Sequence, residues 1–182
     1  MTPIPPFRLA LILGGARSGK SRLAQELAEG FPPPWLYVAT GEARDAEMAA
    51  RIARHREARG PQWETWEVPL EVPHALARAG KAFGAVLVDC LTLWLSNLLT
   101  QKEDRVAGTL EELAAAVQAL GCPTILVSNE VGWGIVPDNP LARRFRDLAG
   151  RLHQRLAAAA DVVILTVAGL PLLLKPSIQG RP

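Results

Sequence analysis

Leu9-Ala10-Leu11-Ile12-Leu13-Gly14-Gly15-Ala16-Arg17-Ser18-Gly19-Lys20-Ser21 is the stretch that decides the fold of this chain. Five apolar residues without a polar interruption suit a strand buried on both faces, as in a parallel sheet. The residues from Gly14 to Ser21 satisfy G-x-x-x-x-G-K-[ST], and Lys20 to Glu29 reads as the helix that follows. Each residue type in the pattern has a physical task. Gly14, Gly15 and Gly19 permit the backbone turns that aim N–H groups inward, with Ala16, Arg17 and Ser18 completing the loop. Lys20 supplies a point charge to the outer phosphates, Ser21 a hydroxyl able to ligate Mg²⁺, and the helix its positive end. The stretch therefore predicts a nucleoside-triphosphate cradle. ATPases, GTPases and small-molecule kinases share such a loop, so it defines a ligand and not a reaction.

Outward from the loop, apolar strand-like runs alternate with helix-like segments. Trp35–Ala39, opened by Pro32-Pro33-Pro34, reads as a second strand, and Asp45–Arg59 as a charged helix stopped by Gly60-Pro61. Trp63–Val68 and Ala85–Val88 read as strands flanking a short helix, Val72–Ala79. Leu91–Leu99 reads as helical, and Asp104–Leu120 as an amphipathic helix. Thr124–Val127 is a further strand, Asn139–Ala160 a long helix, Val162–Val167 a late strand, and Leu172–Leu174 a short edge strand. This order predicts an α/β fold, a P-loop NTPase-like single domain with a mainly parallel sheet flanked by helices. Residues 8–176 are expected to form that domain, with 1–7 and 177–182 as flexible termini.

Composition narrows the function classes. The chain has 182 residues, 49% of them hydrophobic, enough for one domain with a sizeable core. Its net charge of +2 arises from 20 Lys+Arg against 18 Asp+Glu, too small an excess to point to nucleic acid. No apolar stretch is long enough for a transmembrane helix. A cleavable leader is not expected either, because cleavage after the first apolar run would destroy the phosphate loop. Cys90 and Cys122 have no metal-site or disulfide-framework spacing and read as buried reduced thiols of a cytoplasmic protein.

Two further positions carry chemistry. Asp89 closes the apolar run Ala85–Val88, the place for a magnesium-side carboxylate, although a helix cap fits the same position. His55 lies in Arg51-Ile52-Ala53-Arg54-His55-Arg56-Glu57-Ala58-Arg59. On a helix, Arg51, His55 and Arg59 share one face. A solvated charged face is one reading of that pattern. The other is a nucleophile: neighbouring cations keep an imidazole neutral, and arginines hold phosphate beside it. His74 and His153 lack such surroundings and read as surface or packing residues. In Asn129-Glu130-Val131-Gly132-Trp133-Gly134-Ile135-Val136-Pro137, glycines and a proline after a strand predict a shaped loop at the ligand edge of the sheet. Trp133 there suits an apolar wall for a bulky ligand or a subunit contact.

The segments GGARSGKS, EMAARIARHR, LVDCLTLWLSNLL and VSNEVGWGIVPDNPLARRFRDLAGRLHQRLAAAADVVILTVAGLPLLLK together resemble one family. It is the bifunctional adenosylcobinamide kinase and adenosylcobinamide-phosphate guanylyltransferase family of cobalamin biosynthesis, and the similarity runs from Leu9 to Lys175. The resemblance implies phosphorylation of adenosylcobinamide with ATP or GTP. GMP then passes from GTP to adenosylcobinamide phosphate through a guanylylated histidine, giving adenosylcobinamide-GDP and pyrophosphate. It implies His55 as that histidine and a homotrimeric assembly. It also implies nucleotide contacts from Ala39, Thr40, Gly41, Arg56, Glu57, Ala58, Arg59, Glu67 and Asp89, besides the loop. The sequence departs from the family at one point. Gly60 stands between Arg59 and Pro61, where proline commonly follows the arginine directly, which bears on the register of Arg59 and Glu67. A kinase without the transfer step and a nucleotide-dependent switch protein are the other classes that the loop alone allows.

Overall fold

The computed structural model describes residues 4–43, 46, 50 and 59–176. Seven strands form one sheet: β1 (Leu9–Gly14), β2 (Trp35–Ala39), β3 (Trp63–Glu67), β4 (Ala85–Asp89), β5 (Thr124–Asn129), β6 (Val162–Val167) and β7 (Leu170–Lys175). Their order is β3-β2-β4-β5-β1-β6-β7, with every neighbouring pair parallel except the antiparallel pair β6–β7. The helices are α1 (Lys20–Ala28), α2 (Val72–Ala79), α3 (Leu91–Gln101), α4 (Val106–Gln118) and α5 (Pro140–Ala159).

β1 is buried along its whole length because the sheet is covered on both faces. Ala10 and Ile12 pack with Leu23, Ala24 and Ala28 of α1. Leu9, Leu11 and Leu13 point to the opposite face, against a core built from α2, α3, α4 and α5 and centred on Trp94, Leu95, Leu113 and Leu156. An alternating strand could not satisfy both layers. α5 starts where Asn139-Pro140 predicts: Asn139 Oδ1 accepts from the N–H groups of Leu141 and Ala142 at 2.8 and 3.1 Å, and Pro140 fills the first turn.

Three sequence expectations, on one helix, the edge strand and Cys122, need adjusting. The helix expected over Asp104–Leu120 is a 3₁₀ turn, Glu103–Arg105, followed by α4. The short edge strand is longer, Leu170–Lys175, because β6 and β7 form a hairpin whose two turn residues, Ala168 and Gly169, both have positive φ. Cys90 is buried, whereas Cys122 is only half-buried. Ile4 and Phe7 pack against the α1-side core, with Phe7 edge-on to Phe31 at 5.4 Å between ring centres. The helix expected over Asp45–Arg59 falls almost wholly outside the described residues.

Candidate nucleotide site

The phosphate loop crosses from β1 into α1 at the carboxyl edge of the sheet, and two neighbours hold it. On one side Glu130 N–H, just past β5, donates to Gly14 O at 3.0 Å; on the other, Gly169 N–H of the hairpin donates to Ser18 O at 2.9 Å. Gly14 is required by close approach: a Cβ there would lie 2.4 Å from Thr166 O of β6. Gly19 has φ 96°, so a left-handed residue directly precedes α1 and aims its N-terminus across the loop. Lys20 is buried, its Nζ donating to Gly15 O at 2.6 Å.

Strand register brings the other candidates to the same edge. Ala39, the last residue of β2, is level with both Asp89 of β4 and Glu67 of β3. Glu67, which the sequence supports only through family resemblance, thus ends its strand in line with Asp89. It also borders a cavity of about 310 Å³ lined by Trp66, Glu71, His74 and Arg78, at the β3–α2 edge away from the phosphate loop. Arg78 stacks on Trp66 there, 3.9 Å from the ring centre.

Asp89 is not the cap of α3. That position belongs to Cys90, which makes no side-chain capping bond. Asp89 Oδ2 instead accepts from Tyr37 OH at 3.1 Å, and the Arg59 guanidinium lies 3.6 Å above the centre of the Tyr37 ring. Burial first, and then the Asp89 charge, push the Tyr37 phenol far above its ordinary range, so it remains a donor to the carboxylate. Arg59 therefore reaches Asp89 through Tyr37, a partner that the sequence reading did not single out. The Thr40 hydroxyl is engaged at both ends of Cys90: it accepts from Cys90 N–H at 2.8 Å and donates to Cys90 O at 2.7 Å. Asn97 of α3 donates to Thr40 O at 2.9 Å, tying the end of β2 to the Asp89–Cys90 turn. That peptide bond is cis. Gly41 follows Thr40 at the rim. His55, Arg56, Glu57 and Ala58 lie outside the described residues.

The donor set suits magnesium. Among the described residues no cluster of three or more His, Cys, Asp or Glu side chains could cage an ion. One carboxylate, Asp89, and one hydroxyl, Ser21, are what an ion that keeps phosphates and waters as its remaining ligands needs.

A second polar group lies beside the loop. His153 of α5, buried, approaches Ser128 Oγ at 2.8 Å through Nε2 and Glu130 Oε2 at 3.7 Å through Nδ1. Burial holds its pKa below the ordinary value, with the Glu130 charge opposing. Sequence reading missed this group. Its one signal was the polar run Ser128-Asn129-Glu130 ending an apolar strand, and nothing local links that run to a histidine 25 residues away.

A mainly parallel sheet with a phosphate loop after β1 and an acid at the end of β4 defines a P-loop nucleotide-binding domain. Solved structures with the same chain path include a KaiC-like protein from the hyperthermophilic archaeon Pyrococcus horikoshii, with a TM-score of 0.52 and 17% identity. That match covers 87% of this chain and 70% of that one. A RadB recombinase has a TM-score of 0.52 and 16% identity, covering 86% and 73% respectively. At such identity these relatives show the fold alone.

The chain belongs to the cobinamide kinase / cobinamide phosphate guanyltransferase family, which it matches over residues 10–174. The bifunctional adenosylcobalamin biosynthesis protein CobP of Pseudomonas aeruginosa is 49% identical over 166 residues, covering 91% of this chain and 96% of that protein. The protein of the same description, CobU, from Salmonella typhimurium is 41% identical over 181 residues, covering 92% and 99%.

Proposed function

We propose that this chain phosphorylates adenosylcobinamide with ATP or GTP and then transfers GMP from GTP to adenosylcobinamide phosphate, both reactions sharing one triphosphate cradle. The observation that carries this reading is that the phosphate loop after β1 and Asp89 at the end of β4 lie at the same carboxyl edge of the sheet, in a chain of the kinase/guanyltransferase family.

In the kinase reaction, the loop amides from Gly14 to Ser21 and the Lys20 ammonium hold the triphosphate. The substrate hydroxyl oxygen forms a bond to the γ-phosphorus, and the electron pair of the breaking bond leaves with the nucleoside diphosphate. Most of the acceleration comes from alignment and charge neutralisation. Ser21 and Asp89 are the residues that would hold Mg²⁺, which when bound supplies positive charge against the phosphates.

In the transfer reaction, neutral His55 forms a bond to the α-phosphorus of GTP, and pyrophosphate leaves. The phosphate of the corrinoid substrate then attacks the phosphoramidate and releases histidine. Arg56 and Arg59 supply directional cations for the phosphates, with Glu57 and Ala58 on the same segment. Ala39, Thr40, Gly41 and Glu67 complete the nucleotide contacts. The position of Arg59 above Tyr37, which in turn holds Asp89, supports a path from the histidine segment to the cradle.

One domain over residues 8–176 carries both reactions. No described helix is long and apolar enough to cross a membrane. By family resemblance, we place the enzyme in the cytoplasm as a homotrimer. Exposed Trp133, Ile135, Leu170 and Leu172 are apolar surface consistent with subunit contact.

The test incubates the protein with adenosylcobinamide, GTP and Mg²⁺ and identifies the products by mass. Adenosylcobinamide-GDP is expected; its absence together with that of adenosylcobinamide phosphate would sink the reading. With GTP labelled at the α-phosphate, the wild-type chain is expected to take up an acid-labile, alkali-stable label. His55→Ala should take up none while keeping much of its kinase activity, and a variant that labels like wild type would remove His55 from its role.

A further inference from the structure

Between the phosphate loop and the helical layer, four side chains form one polar chain, buried at Ser128 and His153. Asn129 N–H donates to Thr92 Oγ1 at 2.7 Å, Thr92 Oγ1 lies 3.2 Å from Ser128 Oγ, and Ser128 Oγ lies 2.8 Å from His153 Nε2. His153 Nδ1 faces Glu130 Oε2 at 3.7 Å, and Glu130 Oε1 accepts from Gly132 N–H at 2.7 Å.

The Glu130 carboxylate beside Nδ1 sets the sense of this chain when the ring is neutral. Thr92 Oγ1 accepts from Asn129, and a second lone pair and its own proton remain for Ser128. With the ring proton on Nδ1 toward that carboxylate, Nε2 accepts from Ser128, and Thr92 is then the donor to Ser128. Every member has a partner, as buried polar groups require. Packing alone does not call for such a chain: Leu126, two residues earlier on the same face of β5, is wholly buried and apolar.

The chain starts and ends on residues next to the cradle in the backbone. Thr92 lies three residues after Asp89, and Glu130 bonds through its own N–H to Gly14 O at 3.0 Å. The Glu130 side chain is about a quarter exposed (23%) while that of His153 is covered (8%), so the carboxylate is the member that a ligand can meet.

We propose that Glu130 receives the acceptor hydroxyl in the kinase reaction and that His153 is the positioning residue that orients it. The proposal rests on the kinase reading given above. As the hydroxyl oxygen bonds to the γ-phosphorus, its proton passes to the Glu130 carboxylate, and the electron pair of the broken bond departs on the nucleoside diphosphate. In the transfer reaction the acceptor is a phosphate that brings no such proton, so Glu130 matters less there.

The test measures the two reactions separately, kinase with ATP and adenosylcobinamide, transfer with GTP and adenosylcobinamide phosphate. Glu130→Gln keeps the size of the side chain and an oxygen for Gly132 N–H. Its kinase kcat is expected to fall by about tenfold or more relative to its transfer kcat, with the KM for ATP little changed. His153→Gln should lower kinase kcat in the same sense, and the double variant should be no worse than Glu130→Gln alone, because the histidine acts through the carboxylate. Wild-type kinase kcat in Glu130→Gln, equal losses in both reactions, or fully additive losses in the double variant would each overturn the proposal. If His153→Gln does not fold, Glu130→Gln alone decides. A wild-type protein inactive on both substrates would instead refute the functional reading.

Discussion

His153 shows how one residue can tie stability to the site. Its ring is buried between β5 and α5, hydrogen-bonded to Ser128, with Glu130 the charged group at its other nitrogen. Burial lowers its pKa in the folded chain below the ordinary 6.5, so in the window below 6.5 the unfolded chain binds more protons than the folded one. This contribution to stability is therefore full above pH 6.5 and is lost as pH falls through that window toward the lowered value. Urea midpoints measured between pH 7.5 and 5.5 should decline for the wild type, and His153→Gln should show a shallower decline. An unchanged slope in the variant would remove His153 as the cause. The loop residues were legible at this scale, because Gly14, Gly19 and Lys20 act through intrinsic properties, namely backbone freedom and a charge. His153 was not, since its partners come from another element.

At the scale of elements, apolar periodicity and stop signals located the strands because a parallel sheet covered on both faces demands unbroken apolar runs. The ends were less legible. The start of α4 is preceded by a 3₁₀ turn, Glu103–Arg105, that charged residues alone do not distinguish from a helical first turn. α5 is the clearest case in the other direction, since Asn139-Pro140 marks its start in the sequence and caps it in the structure. Asn139→Ala removes the acceptor for two N–H groups and should destabilise the protein by about 1 kcal/mol. Chemical denaturation with unchanged m-value is the measurement; a change within error would mean that water replaces the cap.

For the molecule as a whole, two cores separated by the sheet set the stability, and Trp94 is the largest fully buried side chain of the α2–α5 side. Its indole N–H donates to Leu70 O at 2.6 Å, pinning the chain after β3 onto α3. Trp94→Ala should cost about 3–5 kcal/mol, read from urea unfolding, a large share of a typical domain's stability. A loss below about 1 kcal/mol would show that the core collapses around the gap. By itself the sequence determined the α/β class, the phosphate loop, Asp89 at a strand end and the family, because these rest on local spacing and on residues that act where they stand. Only the tertiary structure decided the strand order that levels Ala39, Glu67 and Asp89, the Tyr37 link between Asp89 and Arg59, and the Thr92–Ser128–His153–Glu130 chain. Those contacts join residues far apart in the chain, and hydrogen bonds between distant elements leave no periodic trace in sequence. The phosphate loop was written in one stretch of residues, whereas the polar support beneath it exists only once β5 has packed between β4 and β1 and beneath α5.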